Sequence, residues 1–277
     1  MYRTLNRLAR PALIFAIVAS ATFAILLPVQ AQCPATPTIF QTSLLETNQP
    51  GTEISTERLQ QILASGSMRV FDVRFPLEYA ISHIAGAMNI PPENNTIVTR
   101  EVSQITALYP DPHAEFVLTC NGPFCGKSKR VAAALVSAGY DNFYRYQLGL
   151  PVWRALGNTV ETDLDGFAYI FNGDRTAVFV DARTPEVFRD DTVACAVNIQ
   201  PGEAAAANED GRLPLWDKGA RVVVFADNPQ LAAKVAGEIA KKAYWSSSYF
   251  SGTLSDLENS QRVHIHSERR CHTGEQN

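Results

Sequence analysis

An internal repeat constrains the fold of this chain more than any other feature of its sequence. Residues 72–76 (DVRFP) recur as residues 181–185 (DARTP). The same offset carries residues 85–90 (AGAMNI) onto residues 194–199 (ACAVNI). A repeat of this length indicates duplicated domains, because the units of solenoid proteins are much shorter.

Each copy alternates apolar strands with helical patterns. In the first copy, Ser55 is an expected N-cap, and a helix is expected from about Ser128 to a stop at Gly139. Strands are predicted at residues 68–73, 115–119 and 143–146 in the first copy, and at 178–180, 222–226 and 248–250 in the second, which also has a helix at 230–242. The alternation predicts an α/β protein with two domains, each a mostly parallel sheet flanked by helices.

The repeat and the composition also predict the domain limits. We expect one domain at residues 50–157 and a second at 165–257, joined by a linker at 158–165. The polar segment 258–277 is expected to be a flexible tail.

The first 31 residues have the layout of a secretory signal peptide. Three arginines precede an apolar run from Pro11 to Leu27, and small residues at the −3 and −1 positions of a cleavage site end at Ala31. This predicts a periplasmic or secreted protein. If the segment is not cleaved, it is about long enough to be a membrane anchor. Gln32 is too large for Cys33 to begin a lipoprotein.

The net charge restricts the kinds of partner that the protein can bind, and the cysteine count indicates how its thiols are paired. The net charge of −4 argues against nucleic acid as a partner. The five cysteines are an odd number, so in an oxidising compartment at least one is expected to stay outside an intrachain disulfide.

The first copy resembles the rhodanese family of sulfurtransferases. Residues 72–79 (DVRFPLEY) resemble the family's first signature, and residues 83–91 (HIAGAMNIP) resemble its His-Ile-x-Gly-Ala-x-Asn-Ile-Pro stretch. Cys120 ends an apolar strand at the place where the family keeps its catalytic cysteine. The resemblance is strong over about residues 50–157 and weaker over 165–257. It implies a tandem-domain sulfurtransferase, for which we expect no cofactor and no metal.

Two departures from the family pattern concern the loop after the strand. The common loop is Cys-x-x-Gly-x-Arg-Ser, whereas here Ser128 follows Cys120 by eight positions and the loop contains Cys125. This resembles a variant loop with an extra cysteine. In the second copy Ala226 stands where a cysteine is expected, which implies an inactive domain. Familiar tandem rhodaneses have the reverse arrangement.

Cys120 is therefore the expected catalytic nucleophile. A loop that leads into a helix N-terminus directs backbone N–H groups at the sulfur and stabilises a thiolate or a persulfide. Gly122 and Gly126 are expected to let the chain bend there. The predicted reaction moves a sulfane sulfur from thiosulfate or a persulfide donor to Cys120, and then to a thiol acceptor.

Other residues are assigned supporting roles. Lys127 and Arg130 either hold an anionic donor or are solvated surface charges, and Ser128 either bonds the loop or caps the helix. Asp72 and Arg74 are expected to brace the strand end through charge-assisted hydrogen bonds. The predicted substrate-binding loop comprises Asn121, Gly122, Gly126, Lys127, Ser128 and Arg130.

The sequence is compatible with several alternatives. Cys125 is either a resolving thiol for Cys120 or a buried space-filler, and a Cys120/Cys125 pair would also suit a non-catalytic redox sensor or binding protein. Phosphatase or arsenate chemistry is disfavoured, because Gly126 occupies the position of the arginine that such loops need. His83 is expected to be a satisfied loop histidine and Cys195 to be structural. Metal binding by the tail is less expected than disorder; its candidate ligands are His264, His266, Cys271 and His272.

Overall fold

The structure is a computed structural model that describes Thr38, Gln41, Leu44 and residues 46–94, 96–214, 219–241 and 246–266. The predicted signal peptide, Cys33, Cys271 and His272 lie outside the described residues. Within the described ranges, no helix is long and apolar enough to cross a membrane.

The first half of the described chain is built on a five-stranded parallel sheet. Its strands, β1 to β5, are Thr52–Glu53, Arg69–Asp72, Ala87–Asn89, Phe116–Thr119 and Tyr144–Tyr146. Its helices, α1 to α5, are Thr56–Ser65, Pro76–Ile81, Thr99–Leu108, Gly126–Ser137 and Gly149–Ala155. The strand order is β1-β5-β4-β2-β3.

The second half has a second five-stranded parallel sheet. Its strands and a small antiparallel pair, β6 to β12, are Val160–Thr162, Val178–Asp181, Thr192–Val193, Val197–Asn198, Val222–Phe225, Ser247–Phe250 and Ile265–His266. Its helices, α6 to α10, are Leu164–Gly173, Pro185–Asp190, Ala204–Glu209, Pro229–Ala240 and Leu254–Ser260. The order is β6-β11-β10-β7-β9, and β12 pairs with β8.

Buried apolar strands explain why both sheets are parallel and covered by helices. All four residues of β4 and all four residues of β10 are buried, as strands with helices on both faces must be. The predicted α/β fold, with two parallel sheets flanked by helices, is confirmed.

The two sheets are equivalent in register as well as in strand order. Thr119 is paired with Asp72 in the first sheet, and Phe225 is paired with Asp181 in the second. The residues that follow, Cys120 and Ala226, therefore occupy the same position at the carboxyl end of a central strand.

The predicted linker is wrong, because residues 158–165 contain part of the second sheet. Strand β6 pairs in parallel with β11, and α6 begins at Leu164. The strand is short, at the sheet edge, and its central residue Glu161 is polar, so the sequence has no apolar run to mark it.

The predicted flexible tail is also wrong for the described residues 258–266. Helix α10 continues to Ser260, and β12 adds to β8. Val263 is buried in the same apolar cluster as Val193, and Ile265 packs against it. Burial of these two apolar residues adds to the strand pairing in holding the segment against the second half.

Candidate active site

Cys120 lies where the central strand β4 meets the loop that leads into α4. The loop spans residues 120–125, and Cys125 is the N-cap of α4. The helix begins at Gly126, two residues earlier than the sequence pattern predicts. A binding crevice at the carboxyl ends of the strands is the usual arrangement in open parallel sheets.

Cys120 and Cys125 form a disulfide across this loop, with their Cα atoms 6.3 Å apart. That separation is within the range of disulfides in proteins. Cys120 is only 4% exposed. Because a disulfide has no thiolate, the loop in this state is unable to act as a nucleophile until the bond is reduced.

Gln147 holds the loop from the neighbouring strand. Its Nε2 donates to the carbonyl oxygens of Gly122, Pro123 and Cys125, at 3.1, 3.1 and 3.2 Å. Its Oε1 accepts a hydrogen bond from Ser128 Oγ at 3.0 Å. One buried carboxamide thus forms hydrogen bonds with three carbonyl oxygens of the loop and with a side chain in the first turn of α4. Sequence reasoning missed Gln147, although a polar residue directly after the strand beside β4 is a usable signal.

A salt bridge between Asp72 and Arg74 supports the loop on the side of Asn121. Arg74 Nε lies 2.9 and 3.0 Å from the two carboxylate oxygens of Asp72, and Arg74 Nη2 donates to Ser82 O at 2.8 Å. Arg74 Nη1 also reaches Asn121 Oδ1 at 3.5 Å, while Asn121 Nδ2 donates to Glu78 Oε1 at 2.7 Å. This network fixes the position of Asn121 next to Cys120.

A cleft of about 390 Å³ opens beside the two cysteines. Its charged lining side chains are Arg74, Lys127, Arg130 and Glu78. The N-terminus of α4 adds a partial positive charge. An excess of positive charge around the sulfur suits an anionic substrate.

Lys127 is buried, so the alternative that it is a solvated surface charge is wrong. Its Nζ donates to Asn94 O at 2.9 Å and lies 4.2 Å from the centre of the Phe75 ring. Burial lowers the pKa of Lys127 from its ordinary value, and the Glu101 carboxylate opposes this. Arg130, in contrast, is exposed at the rim of the cleft.

The two loop glycines have different roles. Gly122 has a φ of 116°, which only glycine adopts readily, and its carbonyl accepts from Cys125 N at 2.9 Å. Gly126 has ordinary helical geometry as the first residue of α4. The predicted bend therefore occurs at Gly122 and not at Gly126.

The second half lacks this loop. Ala226 is fully buried, and only residues 226–228 separate β10 from α9. Arg183 repeats the pairing of Arg74, but its Nη1 faces Asp227 Oδ1 at 3.5 Å, where the first half has Asn121. The equivalent position thus offers no sulfur and an added negative charge.

Fold and site together define an α/β protein of paired parallel sheets with a reactive-cysteine loop at one central strand. The model of the rhodanese-like domain matches residues 55–156. Thiosulfate sulfurtransferase GlpE of Pseudomonas paraeruginosa is 31% identical over 104 residues, which cover 37% of this chain and 84% of that protein. The chain therefore belongs to the rhodanese-like family.

Solved structures include similar folds. A thiosulfate sulfurtransferase from Pseudomonas aeruginosa is 20% identical with a TM-score of 0.34; the match covers 73% of this chain and 43% of that one. The BH2092 protein from Bacillus halodurans is 25% identical with a TM-score of 0.33, covering 41% of this chain and 77% of that one. This chain thus spans less than half the length of the first of these structures.

Proposed function

We propose that this protein is an exported sulfurtransferase in which Cys120 carries a sulfane sulfur from thiosulfate or a persulfide donor to a thiol acceptor. The observation that carries the proposal is the position of Cys120 at the head of α4, in a cleft lined by Lys127, Arg130 and Arg74. The thiosulfate sulfurtransferase activity named for the Pseudomonas paraeruginosa relative supports the same reaction class.

The first step needs the reduced loop. A dithiol or thiol reductant supplies two electrons to the Cys120–Cys125 bond and leaves two thiols. The Cys120 thiolate then attacks the outer sulfur of thiosulfate. The S–S bond of the donor breaks, sulfite leaves with the electron pair, and Cys120 carries a persulfide. No further oxidant or reductant enters this step.

The second step returns the enzyme to its starting state. An acceptor thiolate attacks the outer sulfur of the persulfide, and the Cys120 thiolate leaves. The α4 N-terminus and the cationic side chains stabilise the negative charge on Cys120 before and after each transfer. Lys127, when protonated, carries a poorly hydrated ammonium at the cleft, and this charge attracts an anionic donor.

The test is a thiocyanate-formation assay with thiosulfate and cyanide on the reduced full chain. Cys120→Ser should lower the rate by more than about 1000-fold, as removal of a nucleophile does elsewhere. Cys195→Ser, which changes an exposed cysteine of the second half, should leave the rate unchanged. A Cys120→Ser protein as active as the wild type would exclude the proposal.

A second candidate function rests on the disulfide itself. A loop that closes Cys120 onto Cys125 suits a non-catalytic redox sensor, because oxidation changes the charge and shape of the cleft. Mass spectrometry of protein from its native compartment separates the two functions. A stable disulfide without sulfur loading favours the sensor, whereas a persulfide on Cys120 favours the enzyme.

The exported location is supported by the signal-peptide pattern of residues 1–31. Cell fractionation of the producing organism, combined with sequencing of the mature N-terminus, tests it. Recovery of the uncleaved chain in the cytoplasm would contradict it.

A further inference from the structure

A group of three metal-ligand side chains lies where the two halves meet, away from the cysteine loop. His83 follows α2 of the first half, while Glu161 belongs to β6 and Asp163 follows that strand in the second half. One ligand atom from each residue lies within 4.8 Å of the other two. His83 is 2% exposed, and the two carboxylates are half-buried.

Backbone hydrogen bonds between the halves set these side chains in place. His83 N donates to Glu161 O at 2.9 Å, and Glu161 N donates to His83 O at 2.8 Å. Asp163 N donates to Ala80 O at 2.8 Å. The group is thus held by main-chain bonds and does not depend on flexible surface side chains.

The hydrogen bond at one ring nitrogen decides which tautomer of His83 is present. Its Nδ1 lies 3.0 Å from Tyr79 O, and a carbonyl only accepts, so Nδ1 carries the proton. In the neutral ring, Nε2 then presents a lone pair towards the carboxylates. Histidines that bind metals commonly have this arrangement, with the other N–H on a backbone carbonyl. The Tyr79 ring stacks on the imidazole at 3.8 Å between centroids and fixes its plane.

The carboxylates have supporting partners of the same kind. Tyr249 Oη donates to Glu161 Oε2 at 2.9 Å, which leaves Oε1 directed at His83. Ser251 Oγ donates to Asp163 Oδ1 at 3.4 Å. These bonds orient the carboxylates without neutralising them.

The distance between His83 and Glu161 suits a shared ion better than a direct ion pair. Nε2 and Oε1 are 3.8 Å apart, whereas a direct charge-assisted hydrogen bond would be about 2.8 Å long. Two ligand atoms of a tetrahedral zinc ion are about 3.4 Å apart, given bonds of roughly 2.0–2.1 Å. The His83–Glu161 distance is thus about 0.4 Å from that value, and the ligand atom of Asp163 lies within 4.8 Å of the other two.

We propose that His83, Glu161 and Asp163 bind a divalent transition-metal ion of the zinc class, which links the two halves of the protein. One imidazole and two carboxylates favour zinc over magnesium or calcium, which prefer ligand sets made only of oxygen. The partly exposed side of the carboxylates leaves room for water as a fourth ligand. Since the ion binds both halves, it stabilises their association.

The experiment measures Zn²⁺ binding to the chelator-treated full chain by equilibrium dialysis and by thermal unfolding. A Cys120→Ser/Cys125→Ser background removes the loop thiols, which would otherwise bind zinc. In this background, Glu161→Gln/Asp163→Asn should bind one Zn²⁺ fewer per chain, or bind at least about tenfold more weakly. The Zn²⁺-dependent rise in melting temperature should also disappear.

His113→Ala is the matched control, because His113 pairs with Asp141 at 2.8 Å on the surface and belongs to no three-ligand group among the described residues. It should keep the Zn²⁺ binding of the background protein. Glu161→Gln alone is the second variant if the double variant does not fold, and it should weaken binding in the same direction. Equal Zn²⁺ stoichiometry and affinity with and without these carboxylates would overturn the proposal, as would the absence of Zn²⁺ binding.

Discussion

Gln147 shows how one side chain determines the shape of the cysteine loop. Its carboxamide donates to three loop carbonyls and accepts from Ser128. A buried polar group that loses its partner costs about 1–3 kcal/mol. The geometry of the loop therefore depends on a residue outside the lining of the cleft.

Gln147→Met tests this role. The change retains the length of the side chain but removes all four hydrogen bonds, so the free energy of unfolding should fall by about 1–3 kcal/mol. The kcat/KM for thiosulfate should fall by roughly tenfold or more, because the loop no longer holds Cys120 at the α4 N-terminus. Gln61→Met, at an exposed position of α1, is the control and should change neither quantity. Unchanged kcat/KM in Gln147→Met would refute the bracing role.

Glu101 is a second residue whose environment has a measurable effect. It is fully buried, and neither carboxylate oxygen has a hydrogen-bond partner among the described residues. Burial raises the pKa of Glu101 above its ordinary value of 4.5, and the Lys127 ammonium only partly opposes this. A carboxyl group whose pKa is raised by folding costs stability as the pH increases through that raised pKa.

Glu101→Met should therefore stabilise the protein at about pH 7.5. Replacing the unsatisfied carboxylate should add about 1–3 kcal/mol to the free energy of unfolding. The gain should shrink and then disappear as the pH falls below 4.5, since the wild-type carboxyl is then protonated in both the folded and the unfolded state. Urea unfolding at pH values across this range measures the gain in the free energy of unfolding. Glu209→Gln, at an exposed position, is the control for the loss of one negative charge. A gain that is constant with pH would contradict this explanation.

At the scale of the element, the loop after β4 depends on a close approach by α5. Gly149, the first residue of α5, has a φ of 64°, and a Cβ there would overlap Cys120 O and Gly122 N. Leu150 N also donates to Cys120 O at 3.4 Å. The start of α5 therefore packs directly against the backbone of Cys120.

Gly149→Ala should disrupt this packing. Gly139→Ala is the matched control, because Gly139 has a φ of 96° and open space around its Cα. Gly139→Ala should cost only the backbone strain, about 1–2 kcal/mol. Gly149→Ala should cost more and should also reduce sulfur transfer, measured by thiocyanate formation. Equal effects of the two changes on stability and activity would show that the close contact between Gly149 and the cysteine loop contributes to neither.

The sequence predicted the strands and helices best where their patterns were long or repeated. Residues 72–76 and 181–185 marked the carboxyl ends of β2 and β7. Cys120 was placed correctly after β4. Strand β6 was missed because its central residue, Glu161, is polar, and β12 because it has only two residues, Ile265 and His266, which are too few for a pattern. Gln147 was missed because it lies far from Cys120 in sequence and comes next to it only through the pairing of β4 with β5.

In the molecule as a whole, the two equivalent halves differ in the residue and the loop that follow the central strand of each sheet. The first half has Cys120 and a loop of residues 120–125, and the second has Ala226 and a short turn. The halves also contact each other directly through the paired backbones of His83 and Glu161. The second half thus packs against the first, in which the proposed sulfur transfer takes place.

Sulfur loading of Cys120 is the most direct test of the proposed function. The reduced full chain is mixed with thiosulfate, the small molecules are removed, and its peptides are weighed by mass spectrometry. The peptide with Cys120 should gain one sulfur atom, lose it on addition of a thiol acceptor, and gain none in Cys120→Ser. A Cys120 peptide that never gains sulfur, or a Cys120→Ser chain loaded to the same extent, would contradict sulfur transfer through Cys120.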